Sequence, residues 1–264
     1  MNLELLTKQV ANLCRAMGGF LKTEIKNLKT SDIQSKGFNN FVTYVDKTSE
    51  KKLIVELGKI LPEAGFIAEE NPNLKKARVY NWVIDPLDGT TNFIHGVPLF
   101  SISIALLKGN EIVSGVVYEI NLQECFYAWD GGGAFLNGHK IIGSGTEKLK
   151  DSLLATGFPY DDFERLEEYL EVFKYFMKTT HGIRRLGSAA VDLAYVACGR
   201  FDGFYEYGLN SWDVAAGAII VEQAGGIVSD FTGKENYIFG KEIIASNSFI
   251  FEEFLNTINK YFYN

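Results

Sequence analysis

Apolar residues recur every three or four positions along the first part of the chain, which places them on one stripe of a single long helix. The residues on that stripe are Leu6, Val10, Leu13, Met17, Leu21 and Ile25. A polar, glycine-containing stretch over residues 30–42 then predicts a loop. The helical spacing returns from Ser49 to Leu61 and ends before Pro62. The sequence therefore predicts two helices whose apolar faces need a partner.

From residue 65 onward the apolar residues form short runs, several of which alternate with polar residues in a period of two. Runs of this kind, separated by asparagine, glycine or charged residues, are typical of β-strands. They read GFIA, YNWVI, FSISIALL, EIVSGVVYEI and ECFYAW. The Asn-Gly pair within WDGGGAFLNGHKI indicates a hairpin after them. We expect these strands to form one sheet.

The pattern changes near Gly143 to Ser152, after which helical and strand-like segments alternate. The segments are strand LLATGF, helices around 162–177 and 188–198, strand FDGFYEY, a helix from Asp213 to about Ala224, strands IVSDF and EIIAS, and a final helix. Alternation of this kind favours an α/β layered fold. We predict two subdomains, residues 1–143 and residues 144–264.

The composition of the chain argues against a nucleic-acid-binding protein and against a membrane-spanning protein. The chain has 264 residues, 47% hydrophobic residues and a formal net charge of -7. This acidic balance argues against a nucleic-acid-binding surface, which is usually basic. The first residues lack the pattern of a signal peptide, and no apolar run reaches the roughly 18 residues of a membrane span, so we expect a soluble, cytoplasmic protein. Cys14, Cys125 and Cys198 are isolated, which predicts reduced thiols.

The stretch WVIDPLDGTTNF carries the most informative chemistry, because an apolar strand runs into two aspartates and a glycine. Pro86 favours a turn that brings the carboxylates of Asp85 and Asp88 to the end of the strand. The same turn frees the backbone carbonyl of Leu87. Clustered oxygen ligands suit a hard cation such as Mg²⁺.

Gly89, Thr90 and Thr91 follow the two aspartates directly. If Thr90 begins a helix, the free N–H groups of its first turn offer a site for an anion such as phosphate. A metal site and a phosphate site would then adjoin. Hydrolysis of a phosphate monoester is extremely slow without a catalyst, and two divalent ions are one established way to accelerate it.

An isolated DPLDG segment would more simply be a hydrated turn, since all its residue types except leucine favour turns. Acidic residues at two other places in the chain change this interpretation. Glu69 and Glu70 end an earlier strand, and Asp213 begins a later helix. We expect the acidic groups to meet at one point.

Three segments, GFIAEE, VIDPLDGTTNF and WDVAAGAIIVEQAGG, together resemble the inositol monophosphatase family in order and spacing. The resemblance extends from the region of Asp46 to the last helix. It implies an α/β (α+β) fold, the layered αβαβα sandwich of the inositol monophosphatase and fructose-1,6-bisphosphatase type. The N-terminal subdomain would carry most metal ligands, and the C-terminal subdomain would complete the active site.

The resemblance also implies roles for individual residues. Two or three Mg²⁺ ions per site would be held by Glu69, Asp85, the carbonyl of Leu87, Asp88 and Asp213. Glu69, Thr90 and Asp46 would be catalytic and would orient the attacking water. Asp46 could alternatively be only a helix N-cap. Lys36 resembles a loop lysine of the family, or it is simply solvated.

Substrate contacts follow from the same resemblance. The positions are Asp88, Gly89, Thr90, Thr91, Gly187, Ser188, Ala189 and Glu206. Glu206 can accept hydrogen bonds from a polyol. Arg184 and Arg185 are candidates for the interface of a homodimer, which is common in the family.

We therefore expect a Mg²⁺-dependent, lithium-sensitive phosphatase that hydrolyses small phosphate monoesters, above all myo-inositol monophosphate. The water would attack directly and invert the phosphorus centre. Fructose-1,6-bisphosphatase, histidinol-phosphatase and 3′-phosphoadenosine 5′-phosphate phosphatase activities are alternatives, because relatives with these activities share the metal motifs. A regulatory role through protein contacts is a further alternative.

Overall fold

The computed structural model describes residues 1–37, 40–159 and 163–263, without the side chains of residues 30, 35–37 and 40. The helices are α1 (Leu3–Asn27), α2 (Tyr44–Ile60), α3 (Thr90–His95), α4 (Leu166–Thr179), α5 (Ala189–Ala197), α6 (Ser211–Gln223) and α7 (Phe251–Tyr263). Short 3-10 helices lie at Thr30–Asp32 and Leu149–Asp151. The elements stack in layers of helix, sheet, helix, sheet and helix.

The strands occur singly, in pairs, or in the run β5 to β9 that no helix interrupts. They are β1 (Ile33–Gly37), β2 (Asn40–Thr43), β3 (Gly65–Ala68), β4 (Tyr80–Asp88), β5 (Ser101–Lys108), β6 (Glu111–Glu119), β7 (Glu124–Trp129), β8 (Gly133–Leu136), β9 (His139–Ile141), β10 (Leu153–Thr156), β11 (Gly182–Arg184), β12 (Gly203–Tyr207), β13 (Ile227–Ser229) and β14 (Glu242–Ser246).

The strands β3 to β9 form one sheet in chain order, as the sequence predicted. Strand β3 is parallel to β4, and the later neighbours are antiparallel. The hairpin between β8 and β9 turns at Asn137 and Gly138, whose φ angles of 50° and 90° fit a tight turn. The second sheet has the strand order β11-β10-β12-β14-β13.

The two predicted N-terminal helices cover one face of the first sheet. The apolar stripe of α1, including Leu6, Cys14 and Leu21, packs with Leu53 of α2 against residues such as Trp82 of β4. Helix α2 begins at Tyr44, five residues before the predicted start, because Thr43 caps it and Asp46 completes a capping box. The predicted loop over 30–42 was wrong where it is described, since β1 and β2 pair there as a small antiparallel ribbon.

Helices α5 and α6 form the central layer. Their small apolar residues, such as Ala190 and Ala216, are buried in one cluster with Val83 and Val117 of the first sheet and Phe204 of the second. This layer therefore joins the two sheets through a shared core. The sheets fall on either side of residue 143, although the division into subdomains at that residue stays a prediction.

The last layer covers the outer face of the second sheet. Helices α4 and α7 bury aromatic residues such as Phe176 and Phe254 against Tyr205 of β12. The α4 helix begins at Leu166, four residues after its predicted start at residue 162, and residue 162 lies outside the described residues. These layers confirm the predicted αβαβα sandwich.

The structure also bears on the predictions about the cysteines and about membrane-spanning helices. All three cysteines are free thiols, and Cys14 and Cys125 are buried. In the parts of the chain that the structure describes, we find no helix with both the length and the apolar character needed to cross a membrane.

We predict that Gly115→Ala destabilises the protein, because β6 and α6 approach each other closely at this glycine. A Cβ atom there would lie 2.5 Å from Cγ2 of Ile219 and 2.7 Å from the carbonyl oxygen of Ala216. The free energy of unfolding, measured with urea, should fall by about 1–3 kcal/mol. As a control, Gly19→Ala on the exposed side of α1 meets no neighbour within 4 Å and should raise it by roughly 0.5–1 kcal/mol. Equal stability of Gly115→Ala and wild type would contradict the close packing.

Candidate active site

The end of β4 carries two aspartates on one side of the strand. Residues three apart in a regular strand point to opposite faces. Here Asp85 pairs with Ser103 of β5 and Asp88 pairs with Ser101, so three steps on β4 match two on β5. The extra residue is a β-bulge, and it returns Asp88 to the side of Asp85. The expected turn at Pro86 is therefore a bulge within the strand.

The third aspartate comes from the second half of the chain. Asp213 lies in the first turn of α6, where its Oδ2 accepts a hydrogen bond of 2.7 Å from the backbone N–H of Asn210. One carboxylate oxygen from each of Asp85, Asp88 and Asp213 lies within 4.8 Å of the others. Folding thus gathers acidic groups that are up to 128 positions apart in the sequence into one cluster.

Glu69 lies beside this cluster. Strand β3 runs parallel to β4, and the N–H of Glu69 donates a hydrogen bond of 3.3 Å to the carbonyl oxygen of Ile84. Because Ala68 pairs with Ile84, Glu69 follows β3 at the level of Asp85 on β4. Its side chain lines the same cavity as the three aspartates.

Burial and mutual repulsion raise the pKa values of the aspartates. The pKa of Asp85 lies well above its usual range because of burial, then because of the charges of Glu69, Asp88 and Asp213. Burial also raises the pKa of Asp213, and the charge of Asp88 adds to this effect. Burial raises the pKa of Asp88 to about 6, although hydrogen bonds from Ser188 and Ala190 oppose the shift. Without cations, the cluster favours protonated carboxyls.

The donor set fits a hard divalent cation. It consists of carboxylate oxygens and, at Leu87, a backbone carbonyl oxygen that borders the same cavity. Mg²⁺ prefers such oxygen ligands over nitrogen or sulfur. Positive charge would also relieve the repulsion that raises the pKa values of the aspartates. The residues predicted as metal ligands therefore lie together around one cavity.

The N-terminal end of helix α5 donates hydrogen bonds to Asp88. Its N-cap residue Ser188 donates a hydrogen bond of 2.6 Å from Oγ to Oδ2 of Asp88, and the N–H of Ala190 donates another of 2.8 Å. Ser188 was predicted to contact substrate. Its side chain is 1% exposed, and its hydroxyl is used on Asp88. The contact of Ser188 with substrate stays a prediction, whereas its support of Asp88 is visible.

Thr90 and Asp46 are in contact, although 44 residues separate them. The Thr90 hydroxyl lies 3.1 Å from Oδ1 of Asp46 and 3.0 Å from the carbonyl oxygen of Leu87, two acceptors for its one proton. Oδ2 of Asp46 accepts hydrogen bonds from the N–H and hydroxyl of Thr43 at 2.8 and 2.6 Å. Asp46 is thus the third residue of a capped helix rather than its N-cap, and its other oxygen faces Thr90.

Glu50 supports the site, although it was not among the residues predicted from the sequence. This residue is 2% exposed, and its Oε2 accepts a hydrogen bond of 2.7 Å from the N–H of Glu70, which follows Glu69. Helix α2 therefore supports both Thr90, through Asp46, and the turn that carries Glu69, through Glu50. The four-residue spacing of Asp46 and Glu50, which places both on one side of a helix, was the available signal.

A cavity of about 190 Å³ opens over the acidic cluster. The predicted site residues that line it are Glu69, Asp85, Leu87, Asp88, Gly89, Thr90, Thr91, Gly187, Ser188, Ala189, Glu206 and Asp213. Asp46 stands behind Thr90. The side chain of Lys36 lies outside the described residues.

Two charged cavity residues were not assigned to the site from the sequence. Asp192 of α5 lines the cavity although it is 2% exposed. Arg185 was considered only for a dimer interface, but it also lines the cavity, and its guanidinium lies 5.1 Å from the ring centroid of Phe158. Arg184 is exposed on β11. No pattern in the sequence distinguishes these two neighbouring arginines.

Comparison with known proteins agrees with this geometry. The model of the inositol monophosphatase family matches residues 2–262. The chain is 43% identical to Nus factor SuhB of Pseudomonas aeruginosa, over 92% of each chain. It is 40% identical to an inositol-1-monophosphatase of Mesorhizobium japonicum, over 90% of this chain and 88% of the relative. The solved IMPase of Thermotoga maritima superposes with a TM-score of 0.86 at 38% identity, over 96% of each chain.

We predict that Mg²⁺ stabilises the protein more strongly as the pH rises. The raised pKa values mean that the folded, metal-free protein binds more protons than the unfolded chain, so these groups lower stability as the pH rises above about 4, and for Asp88 this loss extends through about 6. Protons also compete with the metal for the carboxylates. The increase in Tm caused by Mg²⁺, measured against EDTA by scanning fluorimetry, should be larger at about pH 7.5 than at about pH 5.

The control for this measurement is Asp88→Asn, which removes one carboxylate of the cluster and should reduce the Mg²⁺-dependent increase at the higher pH. An increase in Tm that is the same at both pH values in the wild-type protein would contradict a site built from these aspartates.

Proposed function

Because the chain belongs to the inositol monophosphatase family, we propose that it hydrolyses small phosphate monoesters of polyols, with myo-inositol monophosphate as substrate and Mg²⁺ as cofactor. One observation carries this proposal. The carboxylate oxygens of Asp85, Asp88 and Asp213 lie within 4.8 Å of one another beside a cavity whose wall includes the buried carboxyl of Glu206. Oxygen ligands for cations and an acceptor for polyol hydroxyls thus border the same space.

The acidic character of the cavity supports the requirement for a cation. A phosphate monoester is an anion, and the aspartates and Glu69 would repel it in the absence of positive charge. When bound, divalent ions would neutralise charge on the phosphate and promote attack by water. The residues that would hold them are Glu69, Asp85, Asp88, Asp213 and the carbonyl of Leu87.

Thr90 and Asp46 would orient the attacking water. A threonine hydroxyl can accept one hydrogen bond from water while it donates its own proton to a carboxylate. The contacts of the Thr90 hydroxyl with Oδ1 of Asp46 at 3.1 Å and with the carbonyl oxygen of Leu87 at 3.0 Å fit this polarity, since both atoms can accept its proton. Asp46 is in turn held by Thr43, so the orientation of the Thr90 hydroxyl depends on the capped start of α2.

Glu206 would bind the alcohol part of the substrate. It lies on β12 and is 7% exposed, and a Cβ atom at Gly157 would lie 2.1 Å from its Oε1. The carboxyl group therefore rests against the backbone of residue 157, which restricts its position. A carboxylate held in this way can accept hydrogen bonds from substrate hydroxyls with little loss of side-chain entropy.

We predict that the protein releases phosphate from myo-inositol 1-phosphate in the presence of Mg²⁺ and loses this activity in EDTA. Activity should be lower with fructose 1,6-bisphosphate, histidinol phosphate and 3′-phosphoadenosine 5′-phosphate, and lithium should inhibit it. Asp213→Asn is the control, because it removes one carboxylate of the cluster. A clear preference for a bisphosphate would contradict the proposed substrate, and equal turnover in EDTA would contradict the proposed cofactor.

We predict that Thr90→Ala lowers kcat by roughly 10²- to 10⁴-fold, because it removes the hydroxyl that would polarise the water. Thr90→Ser keeps a hydroxyl and should retain kcat within about tenfold of wild type. Steady-state phosphate release at saturating Mg²⁺ gives kcat for both variants. Equal losses in the alanine and serine variants would assign the effect to packing of the threonine methyl group.

The name of the Pseudomonas aeruginosa relative favours a second candidate, a role as a Nus factor. The identity of 43% extends over almost the whole chain, so this role and phosphatase activity could belong to one protein. Restoration of the cellular role by Asp213→Asn in a strain that lacks the gene would favour a role that does not require hydrolysis.

A further inference from the structure

The cavity has a second buried carboxyl beside Glu206, and the mechanism described above does not use it. Asp192 lies on α5 and lines the cavity, yet only 2% of the residue is exposed. Among the residues that the structure describes, its Oδ1 atom has no hydrogen-bond partner. A buried polar atom without a partner is unfavourable in a folded protein and is often retained for a function.

Asp192 lies on the same side of α5 as Ser188, which contacts an aspartate of the acidic cluster. Ser188 and Asp192 are four residues apart at the start of α5, and the N–H of Asp192 donates a hydrogen bond of 3.0 Å to the carbonyl oxygen of Ser188. Side chains at this spacing lie on the same side of a helix, one turn apart. The Ser188 hydroxyl contacts Asp88. Asp192 therefore lies one turn farther from the cluster, along the same side of α5.

Carboxyl groups predominate among the titratable side chains of this cavity. Of the described residues that line the cavity, those with carboxyl groups are Glu69, Asp85, Asp88, Asp192, Glu206 and Asp213, and the basic residue is Arg185. The pKa of Asp192 is raised well above its usual range by burial, then by the charges of Glu206 and Asp88, while Arg185 opposes this. The charge of Glu206 thus acts on Asp192, and the two carboxyl groups form an acceptor-rich wall.

We propose that Asp192 is a specificity-determining residue, which accepts a hydrogen bond from a hydroxyl group of the substrate next to the hydroxyl bound by Glu206. This inference rests on the proposed function and narrows its substrate class to monoesters whose alcohol part carries several free hydroxyl groups. Such hydroxyls are the donors that the unpartnered oxygen lacks. An aryl or simple alkyl leaving group offers none, so it gains nothing from Asp192.

A purely structural role for Asp192 gives a different expectation. A structural aspartate in the first turn of a helix usually accepts backbone or side-chain hydrogen bonds, as Asp46 and Asp213 do here. The unpartnered Oδ1 of Asp192 makes no such bond. Replacing Asp192 by asparagine, which has the same shape and no charge, should therefore leave Tm unchanged or higher. Loss of a structural aspartate would lower Tm.

The test compares a polyol substrate with one that lacks hydroxyl donors. Phosphate release is measured with Mg²⁺ from myo-inositol 1-phosphate and from 4-nitrophenyl phosphate, for wild type, Asp192→Ala and Asp192→Asn. For Asp192→Ala, kcat/KM should fall at least about tenfold for the inositol ester, mainly through KM, and stay within about twofold for the aryl ester. Asp192→Asn keeps one acceptor oxygen and should give an intermediate loss on the inositol ester alone, which preserves the test if the alanine variant does not fold.

Glu222→Gln is the control, because it converts an exposed acid that accepts a hydrogen bond from Tyr237 to an amide on the neighbouring helix α6, outside the cavity. It should leave the ratio of the two kcat/KM values unchanged. Three results would overturn the role of Asp192 and leave the proposed function intact. They are equal losses of kcat/KM on both substrates, unchanged kinetics on both, and a lower Tm for Asp192→Asn. A wild-type enzyme that hydrolyses only the aryl ester would overturn the proposed function together with this inference.

Discussion

The repulsion among buried carboxylates is the constraint on which the rest of the site depends. Asp85, Asp88 and Asp213 would move apart in a flexible chain, because bringing like charges together out of water is costly. The fold opposes this with neutral hydrogen-bond donors that hold each side chain. The N–H of Leu87 donates to Asp85 at 2.8 Å, Ser188 and Ala190 donate to Asp88, and the N–H of Asn210 donates to Asp213. The acids are therefore positioned before any cation arrives.

The central helical layer makes this arrangement possible. The start of α5 supplies the donors for Asp88, and the start of α6 supplies Asp213 itself. Both helices are packed between the two sheets, where Gly115 and other small residues allow close contact. The first sheet supplies Asp85 and Asp88 at a bulge. The cavity thus lies where three layers meet.

The cavity has two chemically different parts. The aspartates around Leu87 would offer oxygen atoms to cations, whereas Asp192 on α5 and Glu206 on β12 would offer acceptors to neutral hydroxyl groups. An anionic phosphate group suits the first part only when positive charge is present. A polyhydroxylated alcohol suits the second part without it. Under the proposed function, this division would orient a monoester with its phosphate toward the aspartates.

The sequence by itself determined the local features, because periodicity records which side of each element is buried. The stripe of α1, the sheet β3 to β9, the Asn137-Gly138 turn and the acidic motifs were all readable, and motif order alone indicated the family. Contacts between distant residues decided the rest. The bulge that turns Asp88 toward Asp85, the pairing of β1 with β2, the use of the Ser188 hydroxyl on Asp88 and the burial of Asp192 depend on which surfaces pack together. Spacing along a chain specifies one side of a helix or strand, but only tertiary packing decides what that side faces.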